Sequence, residues 1–173
     1  MSYKELFNYH TKDGDLIGGD EQQSGLKVSH IIAKEATSAE LEYSYKLLRK
    51  SHYKLNLEKT TKKGDTVLSR ACQDPSPEGT KKIIFLVGQG ASVDTTNDEG
   101  KNIGHQTASS GSIESLEFVT NLVALRRTKW KLSSKSSYVK GESRTMLHYA
   151  VGSPYDQARL SHPARHPDHP TPR

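Results

Sequence analysis

A single cysteine, Cys72, in 173 residues removes any internal disulfide framework and any cysteine-rich zinc module. No N-x-S/T acceptor is present either, so the sequence reads as that of a protein in a reducing compartment, intracellular and either cytoplasmic or nuclear. Long apolar runs are missing. The longest, residues 83–87, has five residues, whereas a membrane helix needs about eighteen, so no membrane association is expected. The amino terminus carries no apolar signal-like stretch and no glycine for myristoylation, and the last four residues form no lipidation box. Aromatic residues make up 7% and apolar residues 32%, which is thin for one thick core and better suited to a shallow or modular fold. The length fits one domain, which would bury about two thirds of its unfolded surface.

What is present is a self-similar pattern. Segments starting at Gly25, Gly64, Gly100 and Ser143 line up so that the fifth residue onward is His30, Ser69, His105 or His148, followed by Ala33, Ala71, Ala108 or Ala150. The spacings at that fifth position are 39, 36 and 43 residues, a period typical of stacked supersecondary units. Between these starts lie further apolar stretches: Leu41, Tyr45, Leu47 and Leu48; Ile83, Ile84, Leu86 and Val87; Ile113, Leu116, Val119, Leu122 and Val123. Steps of three and four residues dominate, which predicts helices.

These residues resemble the ankyrin-repeat family, whose unit reads G-x-T-P-L-H-x-A-A, a turn, then an apolar helix ending in G-A-x-V-N/D. In the second unit Gly64, Thr66, Leu68 and Ala71 match the first half, and Phe85, Leu86, Val87, Gly90, Ala91, Val93 and Asp94 match the second. Thr145, Leu147, His148 and Ala150 match the opening of the fourth. Val67, Ile103 and Met146 stand where the family has proline, Gly104 stands for the leucine of the third unit, and the first unit lacks the terminal Gly-Ala. The resemblance covers about residues 24–153. It implies an all-α, ankyrin-like helix-turn-helix solenoid of about three and a half repeats with short finger loops. Residues 1–23 would be a lead-in or cap, and the proline- and histidine-rich residues 154–173 a disordered tail.

Elementary physics agrees with such a unit. Thr66 and Thr145 each directly precede a short helix, where a hydroxyl can accept from an orphan backbone N–H. Gly90 sits where a helix must stop in the left-handed region, and Gly111, like the stretch containing Pro75, Pro77 and Gly79, is expected to break the chain between paired helices. One pair buries its apolar face only against a neighbour, so stability is a chain of nearest-neighbour terms.

Chemical motifs are weak. Gly88-x-Gly90 hints at a dinucleotide loop, but the polar stretch after Asp94 opens no helix, so Gly90 reads as a helix stop. His30, His105 and His148 recur without a carboxylate or cysteine at ligand spacing; in the family this histidine bridges neighbouring repeats, and no metal or other cofactor is expected. Cys72 reads as core. No hydrolase, kinase or P-loop motif occurs, so no enzymatic activity is expected.

Charge is the informative feature. The net charge is +5, yet residues 49–63 alone carry +5 and residues 126–140 carry +6, leaving the remainder at −6. On the ankyrin pattern both islands fall at the end of a second helix and the following finger, while residues 88–100 hold Asp94, Asp98 and Glu99 with no base. Fingers would alternate basic, acidic, basic, a pattern that steers an acidic protein partner or simply forms a solvated face. The candidate binding residues are Lys59, Lys62, Lys63, Asp94, Asp98, Arg126, Arg127, Lys129 and Trp130, with the aspartates setting register. Trp130 is an interface anchor, a stacking platform for nucleic acid, or packing against the fourth unit. The function implied is protein–protein recognition. A decoy or inhibitor of a signalling complex, similar to the ankyrin-containing inhibitors of Rel-type transcription factors, and nucleic-acid binding through the basic loops are the alternatives. After the fourth unit's first helix no second helix is legible, so Met146, Leu147 and Tyr149 are expected to be partly uncovered, at a truncation, an altered array end or a docking surface.

Overall fold

The computed structural model describes residues 28–50, 56–136 and 144–151, and the lead-in over residues 1–23 and the tail over residues 154–173 lie outside them. The described residues form seven helices and no strand, an all-α fold. These are α1 (Val28–Glu35), α2 (Ser38–Lys50), α3 (Val67–Ala71), α4 (Pro77–Gly88), α5 (Ile103–Ser110), α6 (Ile113–Ala124) and α7 (Met146–Val151). Helices α1, α3, α5 and α7 pack successively in one row, and α2, α4 and α6 in a second. Each first-row helix except α7 also packs on the second-row helix that follows it.

Short side chains start these helices. Thr66, Asn102 and Ser112 accept from the backbone N–H groups of Ser69, His105 and Ser115, satisfying donors that a helix start leaves orphaned. Pro77 is not a break as its sequence context predicts. It opens α4 at a position where its missing N–H costs nothing, and the connection is confined to the residues before it. Gly79 therefore lies inside the first turn of α4, where a Cβ would run into the Asp74 carbonyl. Thr145 directly precedes α7; its N–H donates to Nδ1 of His148 at 3.3 Å, and its hydroxyl pairs with the same ring nitrogen at 2.7 Å.

Between units the chain pairs with itself at isolated antiparallel bridges. Thr60 bridges Thr66, Thr96 bridges Asn102, and Lys135 bridges Thr145. Gly64 and Gly100, 36 residues apart, close the first two with φ of +75° and +66°, conformations open to glycine at no Cβ penalty. A cluster of buried residues runs through the stack, from Ile32 and Leu41 through Leu68, Ile83 and Leu86 to Ile103, Val119 and Leu122. Cys72 belongs to it, and burial pushes its thiol up to about 12 against a hydrogen bond with Thr107.

Polar clamps tie the rows. Lys82 is completely buried on α4; its ammonium meets Asp74 at 2.7 Å and donates to the carbonyls of Lys34 and Ala36, at 3.0 and 2.9 Å, where α1 ends. Burial resists the charge on Asp74, but hydrogen bonds from Lys82 and Ser76 hold its carboxyl below the usual value. Glu78 accepts from both the N–H and the hydroxyl of Ser38 at the start of α2, at 2.8 and 2.7 Å. Hydrogen bonds from Lys81 and Ser38 pull its carboxyl down to about 2.

Gly104 accounts for another departure from the repeat pattern. A Cβ there would lie 2.7 Å from Met146 Sδ and 3.0 Å from Trp130 Cη2, so those two side chains occupy the space beside it. Met146 is consequently buried, unlike the expectation for the end of the array, whereas Leu147 is 71% exposed.

Candidate functional site

Joints between successive units are built by a recurring histidine at two of three places. The His30 ring donates to the Lys59 carbonyl at 3.0 Å, and the His105 ring to the Ser134 carbonyl at 2.9 Å, each 29 residues onward. A carbonyl only accepts, so Nε2 of His105 carries a proton toward Ser134, while Nδ1 lies 3.3 Å from the Asn102 backbone nitrogen and 2.7 Å from its Oδ1. Burial pushes His105 below the ordinary histidine value, against the Ser134 and Arg144 carbonyls, which favour the charged ring. His148 differs: it is exposed and bonds Thr145.

At the middle joint Ser69 stands in the histidine's place and returns its hydroxyl to Thr66 in its own unit. This joint is held by the fingers and by amides. The Asp98 N–H donates to the Lys63 carbonyl at 3.0 Å, and Asn97 donates to Asp65 at 3.0 Å. Gln106 on α5 donates to the same Asp65 oxygen at 3.2 Å; Gln73, just after α3, donates to Gln106 at 3.0 Å; Arg70 on α3 donates to Gln73 at 3.0 Å. The amide orientations form a directed relay from guanidinium to carboxylate, Arg70 to Gln73 to Gln106 to Asp65.

Over this relay lies a cleft of about 300 Å³, lined from the fingers by Lys63, Asn97, Glu99 and Lys101 and from the helix side by Arg70 and Ser109 among others. Lys101 pairs with Glu99 at 2.6 Å and stands 5.0 Å from the centre of the Tyr149 ring. The Arg70 Nε is enclosed with no acceptor.

The residues singled out from sequence divide into two kinds. Lys62 and Lys63 on the first finger, Asp98 on the second, and Arg126, Arg127 and Lys129 after α6 are exposed, and Lys59 is half-buried with its carbonyl taken by His30. Asp94 and Trp130 make contacts between successive loops. Asp94 accepts from the Lys129 N–H at 2.6 Å, and the half-buried Trp130 indole donates to the Val93 carbonyl at 2.9 Å while its ring lies beside Gly104. Trp130 thus bonds the second unit at Val93 and shares the space beside Gly104 with Met146 of α7, on the fourth-unit side that the packing alternative expects. Sequence reasoning missed Asp65, Arg70, Gln73 and Gln106; Arg70 and Gln106 are polar residues on first-row helices that otherwise carry the core, and Asp65 and Gln73 flank α3. Among the described residues no three His, Cys, Asp or Glu side chains gather as a metal site would require, and no helix is long and apolar enough to cross a membrane.

No family model matches this chain, and no curated protein matches it.

Proposed function

We propose that the chain is a short array of about three and a half ankyrin-like repeats that performs no chemistry and acts inside the cell as a protein–protein interaction module. It takes an acidic partner through its finger loops and first-row helices. The observation that carries this reading is the cleft at the middle joint, lined by two fingers and two first-row helices, the elements such a module would use. The 36-residue correspondence of Thr60 with Thr96, Gly64 with Gly100 and Thr66 with Asn102 supports the repeat assignment. Exposed Lys62, Lys63, Arg126, Arg127 and Lys129, to either side of the acidic second finger in the sequence, add positive charge that raises encounter rates with an acidic surface.

Fold alone does not fix function, so the test is binding. Reversing Lys62, Lys63, Arg126 and Arg127 to glutamate should lower affinity for a partner captured from native extract at least tenfold. Unaltered affinity would refute the reading.

A further inference from the structure

We infer that the cleft at the middle joint contains an anion subsite, formed by Arg70 and Lys63, that takes the side-chain carboxylate of an acidic peptide segment. This rests on the interaction reading above and names the chemistry of what is bound. Three of the ionisable groups lining the cleft are already engaged. Asp65 accepts two amides, from Asn97 and Gln106, and Glu99 is paired with Lys101. Arg70 is half-buried and donates from Nη1 to Gln73, and its Nε is enclosed, so a ligand meets the guanidinium through its terminal nitrogens. The Lys63 ammonium has no partner among the described residues, and its side chain is exposed at the edge of the same cleft.

A guanidinium fork and a mobile ammonium are the pair that a carboxylate satisfies best, because the fork supplies directed donors and the lysine a point charge. The relay holds Arg70 in place, since Gln73 is itself fixed by Gln106 and Gln106 by Asp65. A held fork loses less freedom when it binds. Asp65 and Glu99 also line the cleft, and their charges disfavour a doubly charged phosphate more than a singly charged carboxylate. The subsite is therefore selective for Glu or Asp side chains over phosphate groups.

The experiment titrates the full chain with a fluorescein-labelled, end-capped decapeptide of alternating glutamate and alanine, and with its glutamine counterpart. The glutamate peptide should bind saturably and the glutamine peptide at least tenfold more weakly. Arg70→Gln should weaken the glutamate peptide at least fivefold. Ser109→Glu should do the same by repulsion, and because Ser109 is exposed at the rim it leaves the packing intact; both variants are checked by thermal melting. Equal binding of the two peptides, or wild-type binding by Ser109→Glu and Arg70→Gln, would overturn the subsite. Tighter, Arg70-dependent binding of inorganic phosphate or of an oligothymidylate would overturn it too. If a captured protein partner is still lost on reversal of the exposed bases while the peptide ignores Arg70, the subsite falls and the interaction reading stands.

Discussion

Gly90 and Arg126, 36 residues apart, occupy equivalent backbone positions. Each follows a second-row helix, with φ of +91° and +53°. Each donates its N–H to the third residue before it, Val87 or Val123, and the next N–H, of Ala91 or Arg127, reaches Leu86 or Leu122. Glycine holds the left-handed region without a Cβ penalty, whereas an arginine there is strained by about 1 kcal/mol.

The first prediction follows directly. Arg126→Gly should raise stability in urea by about 0.5–1 kcal/mol, after allowing for glycine's greater unfolded-state freedom, and Gly90→Ala should lower it by about 1 kcal/mol. A partner assay on Arg126→Gly then tests whether the strained arginine is retained for its exposed charge.

Lys82 is the buried clamp most sensitive to change. Lys82→Met leaves the Asp74 carboxylate and two helix-end carbonyls without their donor, and should cost about 3–5 kcal/mol by equilibrium denaturation. Adding Asp74→Asn to it should recover part of that loss, because the stranded charge is gone.

Acid should weaken the fold in a defined window. Glu78 is lowered from 4.5 to about 2 and Asp74 is lowered as well, so the unfolded chain binds more protons between those values. Their stabilisation is complete above about pH 4.5 and disappears as pH falls toward about 2. Glu78→Gln should flatten the stability-against-pH curve there. His105, also lowered, acts higher up: its contribution is full above the ordinary histidine value of about 6.5 and declines as pH falls below it.

Gly104→Leu restores the residue that the repeat pattern calls for, yet it should destabilise by about 2 kcal/mol or more, since Trp130 and Met146 fill that space. The emission of Trp130, the only tryptophan, should shift to the red as its ring is displaced toward water.

Sequence made some of this legible and not the rest, for physical reasons. Local effects were readable: the Thr66 cap, the Gly90 stop and the histidine spacing depend on neighbours within a few residues or on a fixed period. Lys82 was not, because a lysine beside an apolar run reads as solvated, and its partners Lys34 and Ala36 lie 48 and 46 residues away. Pro77 reads equally well as a loop or as a helix start, and the close approach of Gly79 to Asp74 is visible only in space. The basic islands were readable as charge, but the relay under the cleft was not. Asp65, Gln73 and Gln106 are ordinary polar residues until separations of 33 and 41 positions bring them together.

The most direct test of the account maps backbone amide shifts of the isotope-labelled full chain as the glutamate–alanine peptide is added. Perturbations should concentrate in the first two fingers, α3, α5 and the loop after α6, with Arg70 and Lys63 among the largest. Shifts confined to the second-row helices or to the exposed Leu147 face of α7, with the finger and first-row amides unmoved, would contradict it.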